Sequence, residues 1–169
     1  MRGSNNKLLA YTCVSLLLIF LLLLVPSLDD WIVTGISHLR SDGLDRVMGW
    51  ITNIGSGIVI FFIVTALFLY EERKRKWIVP LWLSFALASL ITLALKLLVA
   101  RERPFELLGF SSVKEFAFWD SSFPSWHAVM AFSALPVLDR EFPRIKIFWI
   151  VFALLIVFSR IYFGVHFLS

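Results

Sequence analysis

Six side chains stand out in a chain that otherwise offers little chemistry: Lys96, Arg103, Ser125, His127, Arg160 and His166. Charges inside long apolar runs are costly, so each needs a partner or a task. Lys96 lies near the end of the run 77–100. Arg160 lies within 147–167, about 10 Å of helix from its end, too deep for simple snorkelling. Arg103 follows Lys96 by seven residues, nearly two turns, which would put both cations on one helix face. Pro104 works against this by drawing Arg103 out of the helical region. Ser125 and His127 open a further apolar run, where unpaired backbone N–H groups and the helix dipole favour an anion. His166 stands about 240° around an ideal helix from Arg160. The two share a site only if Arg160 reaches round or the helix loosens near Gly164.

Three cations, two histidines, a hydroxyl and a helix N-terminus suit an anion with several oxygens, phosphate foremost. Two histidines flanking phosphorus allow one to attack while the other protonates the leaving oxygen. The cations would stabilise charge on the equatorial oxygens during in-line transfer. No carboxylate pair suits a divalent metal, and His127 with His166 is too small a set for structural zinc. No cofactor is therefore expected. His38, the third histidine, has no second ligand at helical spacing and reads as solvated. Cys13, the single cysteine, reads as a small packed or lipid-facing residue rather than part of a disulfide or thiolate cluster.

These groups must be held by membrane elements. Of 169 residues, 59% are hydrophobic and 17% charged, more apolar surface than one soluble core of this size hides. Apolar runs predict five helical spans, at about 8–28, 51–70, 77–100, 127–139 and 147–167. The fourth is short for a crossing. The first is too long for a signal-peptide core and reads as retained. Residues 29–50 place Trp31, Ile32, Ile36 and Leu39, then Leu44, Val47, Met48 and Ile51, at helical spacing. This reads as a helical segment in the outer interface, broken at Ser41-Asp42-Gly43. Residues 101–126 form a long aromatic loop of the kind that carries function.

Loop charge gives the orientation. EERKRK at 71–76 holds four bases, DREFPRIK at 139–146 holds three, and the N-terminus carries Arg2 and Lys7. The loops 29–50 and 101–126 are acidic on balance. The positive-inside rule puts the basic segments in the cytoplasm and the six chemical residues on the outer side of the cell membrane. The formal charge of +4 reflects that asymmetry and gives no reason to expect nucleic acid. There is no repeat or linker, so 1–169 reads as one membrane domain. Oligomeric state is open.

KLLVARERP (96–104), PSWH (124–127) and SRIYFGVH (159–166) closely resemble the three signatures of the type 2 phosphatidic-acid phosphatase family, K-x6-R-P, P-S-G-H and S-R-x5-H-x3-D. That family shares its site with vanadium-dependent haloperoxidases. The resemblance covers about residues 29–169. It implies an all-α membrane bundle of six spans with the site facing outward and no metal. It implies that His166 is the nucleophile, forming a phosphohistidine, and His127 the general acid. Lys96, Arg103, Ser125 and Arg160 would hold the phosphate, with backbone N–H groups around Ser125 and Trp126. Substrates would be lipid phosphates: phosphatidate, phosphatidylglycerophosphate or a polyprenyl diphosphate.

Two departures bear on activity. Trp126 replaces the family's glycine, which lets a backbone N–H approach an oxyanion closely. The indole either points toward lipid beside an acyl or prenyl chain, or fills the phosphate entrance. The pattern's aspartate would be residue 170 and the sixth span would follow it, so the sequence reads as a fragment ending at Ser169. Loss of the orienting carboxylate in a comparable pair lowers turnover by about 10⁴-fold. The alternative to an active phosphatase is therefore a catalytically impaired lipid-phosphate-binding membrane protein. A haloperoxidase fits the same residues but not the spans. A purely structural or channel protein leaves the cations and histidines without a task.

Overall fold

The computed structural model describes residues 28–108 and 121–168. The expected first span up to residue 27, with Cys13, and residues 109–120 of the aromatic outer loop lie outside them. Every regular element among the described residues is helical. In chain order these are α1 (residues 28–37), α2 (Asp42–Ile54), α3 (Gly57–Tyr70), a 3₁₀ turn (Glu72–Trp77), α4 (Ile78–Val99), α5 (Pro104–Leu108), α6 (Trp126–Ser133), α7 (Leu135–Glu141) and α8 (Lys146–Tyr162).

The outer segment breaks where turn chemistry puts it. Ser41 caps α2 through its Oγ, which accepts the Leu44 N–H, and Asp42 and Asp45 fill the first turn, where carboxylates suit the positive helix end. The expected span 51–70 divides instead of running straight. α2 carries through to Ile54, and α3 leaves it at an angle of 59°. The bend has a packing cause. A Cβ on Gly55 would lie 2.5 Å from Ile156 Cγ1 of α8, so glycine lets α8 press against the joint. Ser56 then caps α3, its Oγ accepting the Val59 N–H. The sequence GIVIFFIVTALFLY of α3 is apolar all round, the pattern of a helix in an apolar medium.

α4 has 22 residues, about 33 Å of helix, enough to cross a hydrocarbon core. Among the described residues, the stretch Glu72–Glu106 containing it passes alone as long and apolar enough to cross a membrane; α2 and α3 pass only together. Only 22% of the most apolar window is buried, and Leu83, Leu87, Leu90 and Leu98 face outward. The core lies between α3, α4, α6 and α8, around Phe68, Leu81, Phe85, Met130, Ala153 and Ile156. Ala131 and Ala134 of the α6–α7 segment are fully buried, small enough for neighbouring helices to close on them.

The expected span 127–139 is two short helices. Pro136 sits in the first turn of α7, where its missing N–H interrupts the ladder that α6 began. Side chains take up carbonyls beside the break: Trp149 Nε1 donates to Ala131 O at 2.8 Å and Ser84 Oγ to Ser133 O at 3.3 Å. Away from water, such partners keep irregular backbone tolerable.

In the last expected span, helix stops at Tyr162. Gly164 has φ 63°, its N–H bonds Ile161 O at 2.8 Å, and the Val165 N–H bonds Arg160 O at 3.2 Å. This is a Schellman turn, and it reverses the chain. α1 packs on the result: Val33 is buried against Ile161 and Phe167. Trp31 and Leu39 of the expected apolar face are exposed.

Candidate active site

The site forms where α4 and α8 end and α6 begins. The Schellman turn resolves the angular problem between Arg160 and His166, because residues 163–166 leave the helix and bring the imidazole back beside it. Both residues line one cavity of about 200 Å³, with Ser122, Ser125, Val157 and Phe167 among the other walls. At about 30 Å³ per water in the liquid, this is room for a phosphoryl group and a few waters.

Each polar wall is held by named bonds. His166 is 4% exposed, and its Nδ1 bonds the carbonyl oxygen of Ser122. A carbonyl only accepts, so Nδ1 carries the hydrogen, and a neutral ring then keeps its lone pair on Nε2. Ser122 is fixed in turn: its N–H donates to Arg101 O at 2.8 Å and its Oγ to Glu102 O at 2.7 Å. Arg160 Nη1 donates to Thr52 Oγ1 at 3.4 Å, and Thr52 Oγ1 lies 2.8 Å from Ser159 Oγ. Ser125 Oγ is buried and has no hydrogen-bond partner among the described residues. A buried hydroxyl left so costs free energy, and an anion's oxygen in the cavity would satisfy it.

Lys96 and Arg103 do not share a helix face. α4 stops at Val99, and Ala100 takes the left-handed conformation with φ 45°. Pro104 begins α5, leaving Arg103 in the intervening turn. The two cations meet through the loops instead. Lys96 Nζ donates to Ser121 O. Arg103 Nη1 donates to Val165 O at 2.7 Å, the residue before His166. Both are buried, and with Arg160 they impose their positive fields on the His166 ring.

Trp126 and His127 form the first turn of α6 and are not among the cavity's walls. The indole lies on the other side. A Cβ on Gly57 would come 2.4 Å from Trp126 Nε1. Trp126 lines a separate apolar groove of about 430 Å³ between α3, α4 and α6, with Phe61, Phe62, Trp82, Phe85 and Met130. Of its two expected placements, the indole does not fill the cavity that Arg160 and His166 line; it lies along an apolar groove. His127 is half-buried. His38 is exposed in the turn that follows α1. In that turn, the Arg40 guanidinium, and after it the Tyr162 hydroxyl, hold the Asp45 carboxyl below the usual carboxylate range.

Three supports escaped the sequence reading. Thr52 carries Arg160; its signal was a hydroxyl in an apolar stretch. The carbonyls of Ser121, Ser122 and Val165 have no side-chain signal at all. Asp29, 1% exposed, looked like an interfacial carboxylate, yet it bonds both Arg101 and the Leu168 N–H.

The chain belongs to the PAP2 superfamily, whose pattern matches residues 77–169. Among solved structures it is similar to the PAP2-type phosphatidylglycerolphosphate phosphatase of Bacillus subtilis, a transmembrane protein. Identity there is 30%, over 91% of this chain and 84% of that one, with a TM-score of 0.66. LpxE of Aquifex aeolicus is 31% identical over 83% of each chain, with a TM-score of 0.71. An undecaprenyl-diphosphatase of Sulfolobus acidocaldarius is 35% identical over 104 residues, 61% of this chain. The chain spans about half the length of that curated relative.

Proposed function

We propose that this protein is a membrane-embedded PAP2-type phosphatase that hydrolyses a phosphomonoester or diphosphate carried by a lipid, on the outer side of the membrane. The observation that carries the reading is the convergence of Ser125, Arg160 and His166 on one cavity, with His166 Nδ1 engaged so that Nε2 is left to attack. In the first step the Nε2 lone pair forms a bond to phosphorus, the bond to the lipid's oxygen breaks, and His127 gives that oxygen its proton. In the second, water gives its proton to His127 and attacks phosphorus, the N–P bond breaks, and phosphate leaves. Ser125, Arg160, Lys96 and Arg103, with the backbone N–H groups at Ser125 and Trp126, hold the charge that develops on the phosphoryl oxygens.

The apolar groove beside Trp126 suits the hydrocarbon part of such a substrate. Ser125 and Trp126 are consecutive, so one lines the headgroup cavity and the next the groove. The names of the relatives span a polyprenyl diphosphate and a glycerophospholipid phosphate, so both belong in the test. Purified protein in detergent with EDTA should release phosphate from phosphatidate, phosphatidylglycerophosphate or a polyprenyl diphosphate. H166A should abolish release, and H127Q should slow it by about 10²–10⁴-fold. Binding of a labelled lipid phosphate without any His166-dependent release would establish the impaired-binder alternative instead.

A further inference from the structure

Asp29 is the group that the chemistry above does not use. It is a carboxylate on α1 with a side chain 1% exposed, far from its place in sequence from any signature residue. Burying a carboxylate costs several kcal/mol unless it is paired, so its contacts carry information. Oδ2 accepts from Arg101 Nη2 at 2.7 Å. Oδ1 accepts the Leu168 N–H at 3.1 Å, two residues beyond His166. The same Arg101 guanidinium lies 4.1 Å from the centre of the Phe167 ring. Its own carbonyl accepts the Ser122 N–H, and the Ser122 carbonyl holds His166 Nδ1.

The contacts therefore close a ring around the imidazole. One arm runs from Asp29 to the backbone just after His166. The other runs from Asp29 through Arg101 and Ser122 to the imidazole itself. We infer that the Asp29–Arg101 ion pair is the positioning unit of His166: it sets the distance between the 163–168 turn and the 121–125 loop, and so keeps the hydrogen on Nδ1 and the lone pair on Nε2. Asp29 and Arg101 act through His166 and touch no substrate. The inference rests on the phosphatase reading only for its kinetic arm.

Two measurements test it. In the first, kcat and KM for the released phosphate are determined per folded protein for the wild type, D29N, R101M and the double variant. Loss of an orienting partner behind a working histidine costs about 10–100-fold. D29N and R101M should each lower kcat by that factor and leave KM within about twofold, and the double variant should be no worse than either, because the two act as one unit. Arg101 is 27% exposed at its side chain and can hydrate when its partner is neutralised, so D29N probes the unit even where R101M, which leaves the buried carboxylate without its cation, fails to fold. In the second, the spectrum of ¹⁵N-labelled histidine, assigned with H166A, reads the tautomer directly. The wild type should show Nδ1–H at His166 and either variant a mixture. An unchanged tautomer in a folded variant overturns the inference, whether or not kcat falls. Absence of phosphate release from the wild type would overturn the phosphatase reading alone, and the spectrum would still decide the role of the pair.

Discussion

At the scale of single residues, the most informative pair is Gly57 and Trp126. The indole occupies space that any side chain at 57 would need, with Nε1 2.4 Å from a Cβ there. Alanine is normally the better helix former by about 1 kcal/mol, so propensity alone favours G57A. Overpacking of a closed contact costs about 1–3 kcal/mol and wins. G57A should lower the thermal midpoint in detergent, and adding W126G should restore most of the loss; an additive double variant would show that the two do not touch. Seen this way, Trp126 is half of an interlock between α6 and α3. Its type was conspicuous in the sequence, but its direction was not, because a side chain at a helix start can leave on either side of the backbone. The signature residues were legible by type and spacing. Their acceptors were not, because peptide oxygens are the same at every position.

At the scale of elements, two helix ends decide the site, and they are opposite in chemistry. α8 ends on Gly164 at φ 63°, where glycine is free of the Cβ penalty. α4 ends on Ala100 at φ 45°, where an L side chain costs about 1–2 kcal/mol. Replacing alanine by glycine there also loosens the unfolded chain, by roughly 0.5–1 kcal/mol. The steric relief is the larger quantity. A100G should therefore stabilise the protein by about 0.5–1 kcal/mol, while G164A should destabilise it by about 0.5–1 kcal/mol net of the same entropy and slow phosphate release through displacement of His166. Only the change at 164 should alter turnover, since only Gly164 directs the turn that carries His166. From the sequence, helices could be placed by apolar runs, and a loosening near Gly164 stood as one of two ways to join Arg160 with His166, but the breaks at Gly55–Ser56 and Ala134 could not be placed. Runs of leucine, valine and phenylalanine stay apolar across a bend or a stop, so hydrophobicity marks the medium and says little about where the backbone turns.

At the scale of the whole molecule, the proposed orientation follows from charge alone and has a direct check. In a C13S background, a cysteine at Gly43, where an added Cβ meets nothing within 4 Å, should react with a membrane-impermeant maleimide on intact cells. A cysteine at Arg73, exposed in the 3₁₀ turn, should react only after permeabilisation. The reverse pattern would put the cavity lined by Arg160 and His166 on the cytoplasmic side. A different consequence comes from the atoms that receive the site's buried donors. Lys96, Arg103 and His166 end on the peptide oxygens of Ser121, Val165 and Ser122, and no substitution at those three positions deletes a peptide oxygen. Side-chain changes at Ser121, Ser122 and Val165 leave these acceptor oxygens in the chain, while the Ser122 and Ser125 hydroxyls keep duties of their own. Adding or removing a single residue in the 121–125 loop slides the two oxygens that hold Lys96 and His166 out of register together. The centre is thus tolerant of spelling changes and intolerant of changes in length, a form of robustness that belongs to the main chain.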